Sequence, residues 1–139
     1  MVDYAHNEAG LAHLLDFGRS FVAPAARLLA IIGTAGDRPT AALRAIGRLA
    51  GEAADFVWVR ETEHYLRGRT RDEMDKLFLD GIAAGREGVA GGSAIVPDEL
   101  AAVAAALAAA RPGDAIVMMC FEDQAAVLAR LGERGTLIG

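Results

Sequence analysis

The sequence predicts an α/β fold: a three-layer sandwich in which a mostly parallel sheet of five or six strands carries helices on both faces. Three observations lead there. Short apolar runs alternate five times with longer segments whose apolar residues recur at three and four positions. The second run, Leu28–Ile32, contains no polar break, as a strand covered on both faces requires. Polar residues gather in the segments that follow strands, whereas those that follow helices are mostly Ala, Gly and Pro. A merely solvated surface has no reason to favour one edge of a sheet, so this asymmetry points to a polar binding edge at the carboxyl ends of the strands.

Residues 2–4 read as the end of a short strand. Residues 9–22 follow as an amphipathic helix with Leu11, Leu14, Leu15, Gly18, Phe21 and Val22 along its buried face and His13 outside it. The turn between them holds Asp3, His6 and Asn7, an acid, an imidazole and an amide, beside the unpaired N–H groups of a helix start. These could orient a nucleotide or assist proton transfer. The plainer reading makes Asn7 a helix N-cap, Asp3 a turn residue and His6 a surface imidazole. Segment 19–27, with Pro24, leads into the second strand, Leu28–Ile32. Gly33 and Gly36 then permit a tight turn, Asp37 and Arg38 make it polar, and Pro39 suits the first turn of a helix. The turn is not a P-loop, because it lacks the closing Gly-Lys-Ser/Thr. Its helix runs to about residue 54, with Leu43, Ile46, Leu49, Ala50 and Ala53 at core spacing.

Residues 56–59 form the third strand, and the most polar stretch of the chain, 60–69, comes behind it. Within it Arg67 and Arg69 flank a glycine and could clamp a carboxylate or phosphate, with solvated surface charge as the alternative for each. Thr70 and Glu73 have capping-box spacing and open a helix whose buried face is Met74, Leu77, Phe78, Gly81 and Ile82. Residues 85–93 are glycine-rich and read as a flexible connection, followed by a short strand at 94–96. Pro97, Asp98 and Glu99 start the next helix, with Leu100, Val103, Ala104 and Leu107 at core spacing, and Arg111, Pro112 and Gly113 end it. Ala115–Met119 is the last strand, its two methionines core residues; Glu122 and Asp123 introduce a final helix bearing Val127, Leu128 and Leu131.

Composition narrows the function classes. A chain of 139 residues suits one domain with a real core. Its net charge of -5 gives no general attraction to nucleic acid or to anionic lipid. No apolar run approaches the ~20 residues that span a bilayer, and the opening residues do not read as a signal peptide. The single Cys120 excludes an intrachain disulfide and a cysteine-based zinc cage, follows an apolar strand, and reads as a buried inert thiol in a reducing compartment. No Ser-His-acid arrangement and no histidine pair at a helical interval occurs, so no metal ligands are assigned.

Three segments taken together carry a resemblance. VDYAHN at the first turn, GTAGDR after the second strand and LRGRTRDE before the third helix resemble the C-terminal domain of the Mur ligase superfamily, most of all its cyanophycin synthetase branch. There the corresponding segments follow DYGHNP-like, GGPGDR-like and RGRPRGE-like patterns. The resemblance covers nearly the whole chain and implies a Rossmann-like domain, residues 1–139, of a larger cytoplasmic ligase. It implies ATP-dependent amide bond formation: a carboxylate becomes an acyl phosphate, and an amino group displaces the phosphate. ATP and Mg²⁺ would be bound mainly by domains outside this sequence, the central ATP-binding domain being the partner. Asp3, His6, Asn7, Asp37 and Arg38 would face the nucleotide, and Arg67 and Arg69 would receive the incoming amino acid or peptide.

One departure stands out, since Glu8 replaces the usual proline after Asn7 and brings a negative charge near the proposed phosphates. The central domain's phosphate loop, metal ligands and catalytic lysine have no counterpart here, so the isolated domain is expected to be inactive and to act by closure. The first strand's start so close to its turn is expected of a piece cut at a domain boundary. The alternative is a free-standing, non-catalytic binding module on the same fold. The acceptor and the oligomeric state, a homo-oligomer included, stay open.

Overall fold

The computed structural model describes residues 1–3, 5–88, 90–120 and 122–135. Five strands, Val2–Asp3 (β1), Leu28–Ile32 (β2), Phe56–Arg60 (β3), Gly92–Val96 (β4) and Ala115–Met119 (β5), pair in parallel in the order β1-β5-β2-β3-β4. The sandwich and its parallel sheet are thus as the alternation of the sequence predicts, with five strands among the described residues. Whether β1 reaches Tyr4 lies outside the described residues.

Period-two alternation sorts the strand residues between two cores. Leu28, Ala30, Ile32, Val57, Val59, Val117 and Met119 face helices Glu8–Ser20 (α1), Thr40–Ala53 (α2) and Arg71–Gly85 (α3). Leu29, Ile31, Trp58, Met118 and Cys120 face helices Glu99–Ala109 (α4) and Gln124–Gly132 (α5). All five residues of β2 are buried, which explains its unbroken apolar reading. The helices start where their caps place them. Asn7 accepts from the Gly10 N–H at 2.9 Å, Thr70 and Glu73 complete a capping box, and Asp98 and Asp123 accept from Ala101 and Ala126. Helices α2 and α3 meet at backbone contact. A Cβ on Gly47 would lie 2.4 Å from the Phe78 carbonyl oxygen, and one on Gly81 would lie 2.2 Å from that of Arg44.

Two helical faces differ from expectation. Phe21 is 63% exposed rather than buried, because α1 stops at Ser20 and Phe21 caps it, stacking edge-to-face on the equally outward Phe17 at 4.9 Å. In α4 the buried set is Glu99, Ala102, Val103 and Ala106, while Leu100 and Ala104 are exposed and Leu107 is half-buried. A helix that is mostly alanine has no strong apolar stripe to fix its rotation, and this one turns Glu99 inward to pair with Arg60. Of segment 85–93, expected to be a flexible connection, Gly92 and Ser93 already belong to β4, and Arg86 donates to the carbonyls of Gly92 at 2.7 Å and Ala54 at 3.0 Å.

Topology positions the site. Helices α1, α2 and α3 make the crossovers from β1 through to β4 on one face, and α4 returns across the other to place β5 between β1 and β2. Adjacent strands β2 and β5 therefore send their following helices to opposite faces, which makes their carboxyl ends a topological switch point. In open α/β sheets this is the place for a ligand.

Candidate functional site

Because the sheet is parallel, the turns after all five strands share one edge. The turn after β1 leaves Asp3 exposed and His6 half-buried, while Asn7 caps α1. The turn after β2 is buried from Gly33 to Gly36, then emerges as exposed Asp37 and half-buried Arg38. Arg38 Nε is buried and has no hydrogen-bond partner among the described residues. The turn after β3 contains a short 3-10 helix, Glu63–Tyr65, and a left-handed pair, Arg67 at φ 52° and Gly68 at φ 90°. Exposed Arg67 places its guanidinium 5.7 Å from the centroid of the Tyr65 ring.

Hydrogen bonds knit these turns into one surface. Thr34 Oγ1 donates to the His6 carbonyl at 3.3 Å, Thr62 Oγ1 to the Thr34 carbonyl at 3.2 Å, and the Gly36 N–H to the Tyr65 carbonyl at 2.8 Å. Arg69 joins two turns by itself: Nε donates to the Gly36 carbonyl at 2.9 Å, and Nη2 to the Arg38 carbonyl at 3.1 Å and to Thr40 Oγ1 at 3.2 Å. Asp3 ends β1, and His6, Asn7, Asp37, Arg38, Arg67 and Arg69 lie on turns of the same edge. Within that edge Arg67 extends over the surface, and Arg69 grips the neighbouring turn.

Two functional-edge residues escape sequence reasoning. Arg60, the last residue of β3, is 1% exposed, and Glu99, the first of α4, is 4% exposed. They pair at 3.3 Å between Arg60 Nε and Glu99 Oε1. Arg60 Nη2 also donates to the Gly33 carbonyl at 3.2 Å, and its Nε to the Met119 carbonyl at 3.4 Å. Glu99 accepts the N–H groups of Glu122 at 3.0 Å and Asp123 at 2.9 Å. Burial lowers the Arg60 guanidinium from its ordinary range, and the Glu99 carboxylate opposes that shift. The one available signal was a charged residue directly continuing a buried run, Phe-Val-Trp-Val-Arg.

Carboxylates crowd beside this cluster. Burial and Glu61, whose carboxyl is hydrogen-bonded to it, push Asp75 up to about 6, while Arg71, 2.6 Å from Glu61, works in the opposite direction. Cys120 is buried, and its thiol is pushed up to about 12 by burial and then by the Glu99 carboxylate. Among the described residues, no group of three or more His, Cys, Asp or Glu side chains is arranged to hold a metal ion. No helix among them is long and apolar enough to cross a membrane.

Comparisons with known proteins match this architecture. A family model described as the Mur ligase, glutamate ligase domain matches residues 1–120. The UDP-N-acetylmuramoyl-L-alanyl-D-glutamate--2,6-diaminopimelate ligase of Trichormus variabilis is 30% identical over 118 residues, covering 85% of this chain and 22% of the relative. The cyanophycin synthetase of Crocosphaera subtropica is 35% identical over 82 residues, covering 59% of this chain and 9% of the relative. The chain thus spans less than a quarter of the length of these relatives. Among solved structures, a UDP-N-acetylmuramoyl-L-alanyl-D-glutamate--2,6-diaminopimelate ligase superposes with a TM-score of 0.72 at 20% identity over 97% of this chain and 29% of its own. A murein peptide ligase from Psychrobacter arcticus does so with a TM-score of 0.70 at 20% identity over 99% of this chain and 28% of its own. The fold is theirs, the motifs lie on one edge of the sheet, and the chain belongs to the Mur ligase family as its glutamate ligase, or C-terminal, domain.

Proposed function

We propose that this chain is the C-terminal lid and acceptor-binding domain of a larger ATP-dependent carboxylate–amine ligase of cyanophycin synthetase type, acting with a central ATP-binding domain. The observation that supports this best is the convergence of three polar turns on one edge, tied together through Thr34, Gly36 and Arg69. A rigid polar edge is what a closing domain must present to a nucleotide bound opposite it.

ATP supplies the phosphoryl group that activates a carboxylate; the contribution of this chain is to bind, orient and exclude water. Half-buried Arg38 offers its guanidinium to a phosphate oxygen, and half-buried His6 and exposed Asp37 flank the same surface. Asp3, exposed at the end of β1, and Asn7, which also caps α1, face the nucleotide from the first turn. Arg67, exposed and held over Tyr65, takes the acceptor's carboxylate, and Arg69 holds the turn from which it works. Closure keeps water from the activated carboxylate and aligns the amine for attack. Mg²⁺ belongs to the partner domain in this reading.

Calorimetric titration with ATP, with and without Mg²⁺, tests it on this chain and on a ligase that joins it to the missing domains. Binding only to the longer protein is the expected result. Tight binding to the isolated chain would overturn the lid reading in favour of an independent binding module.

A further inference from the structure

The crevice between β2 and β5, where a parallel sheet of this kind would take an anion, is filled by the chain itself. Arg60 reaches from the end of β3 beneath the ends of β2 and β5, touching the carbonyls of Gly33 and Met119. Gly33 has to be glycine for this passage, because a Cβ there would lie 2.7 Å from Arg60 Cγ. From the opposite side Glu99 offers one carboxylate oxygen to the N–H of Glu122 and the other to that of Asp123. Two successive N–H groups at the start of α5 and a guanidinium form a donor set that ordinarily receives a phosphate or carboxylate ligand. Here it receives the side chain of α4.

We propose that Arg60 and Glu99 are a positioning pair: Glu99 is a built-in anion that closes the β2/β5 crevice to outside anions, and the pair ties the 33–36 turn to the 122–123 turn as one rigid edge. That this edge then meets a nucleotide rests on the lid reading above. The coupling between the turns does not.

The test uses this chain and no nucleotide. Amide chemical shifts and hydrogen exchange are followed by NMR in the native protein, Glu99→Ala and the near-isosteric Glu99→Gln. Acetate replaces the atoms that Glu99→Ala removes. In Glu99→Ala the Glu122 and Asp123 amides should lose protection at least tenfold, and Gly33, Thr34 and Gly36 should shift with them. Acetate or inorganic phosphate should then reverse these changes saturably, while leaving the native protein unaffected. In Glu99→Gln one of the two amides should lose protection, with smaller shifts at 33–36, and acetate should have no effect.

If Glu99→Ala does not fold, the Glu99→Gln pattern decides, with native tertiary structure checked by near-ultraviolet dichroism of Trp58. Shifts confined to 120–124 in the folded variants would overturn the coupling, and saturable binding of acetate to the native protein would overturn the closed crevice. Failure of ATP to bind a longer ligase would sink the lid reading and leave this result standing.

Discussion

The Arg69 guanidinium lies 2.9 Å from the carbonyl oxygen of Gly36, so a side chain of the turn after β3 reinforces the backbone bond that already joins it to the turn after β2. Arg67, two residues away, lies over the Tyr65 ring instead. Two arginines that look equivalent in sequence therefore have separable effects. Arg69→Ala removes charge-assisted bonds to the Gly36 and Arg38 carbonyls and should lower unfolding free energy by about 2 kcal/mol in urea titration. Arg67→Ala should leave stability within about 0.5 kcal/mol of native. In a complete ligase it should raise the KM for the acceptor by about tenfold, which an equal change for ATP would contradict.

Close backbone contact makes Gly36 and Gly47 intolerant of even a methyl group. A Cβ on Gly36 would sit 2.0 Å from the Leu66 carbonyl oxygen, and one on Gly47 would sit 2.4 Å from that of Phe78. Each alanine substitution should destabilise by about 1–3 kcal/mol, although alanine is the better helix former at position 47. Gly132, in α5 with open space around it, is the control: Gly132→Ala should be neutral or slightly stabilising in the same titration.

Asp75 supplies a pH signature. Its carboxyl titrates near 6 in the folded chain, above the value of about 4 for an unfolded aspartate, so the folded state binds more protons between those limits. Stability from this group should therefore fall as pH rises from about 4 to 6 and stay reduced above. Asp75→Asn should flatten that segment of the stability profile and raise the melting temperature at pH 7.5. A Glu61→Gln variant should lower the Asp75 titration midpoint, read by carboxyl carbon NMR, because it removes a neighbouring negative charge.

Cys120 should resist alkylation. Burial and the Glu99 carboxylate keep the thiol protonated at pH 8, with Sγ 3.5 Å from Glu99 Oε2. Iodoacetamide should modify native protein only at the rate of global unfolding, rising with urea in parallel with the loss of tertiary dichroism. Fast modification in the absence of denaturant would mean that the end of β5 opens locally.

β2 was legible because burial on both faces writes an unbroken apolar run, and α3 was legible because Thr70 and Glu73 announce its start. Phe21 was misplaced because hydrophobic spacing continues past the residue where α1 ends, and a periodicity argument does not register a cap. The site residues named from motifs share an edge because strand direction alone puts them there. The different settings of Arg67 and Arg69 are not written locally, since the left-handed backbone at Arg67 and the carbonyls across from Arg69 appear only in the folded chain.

The alternation of strand and helix, the two-sided core, the polar carboxyl edge and the family motifs are all written in residues close in the chain. Tertiary structure alone decided the strand order that brings β5 beside β2, the rotation of α4, and the meeting of Arg60 with Glu99 across 39 residues. The physical reason is desolvation. A charge at the end of a buried strand cannot remain without a partner, and the chain turns a helix that has little apolar preference of its own until a carboxylate reaches it.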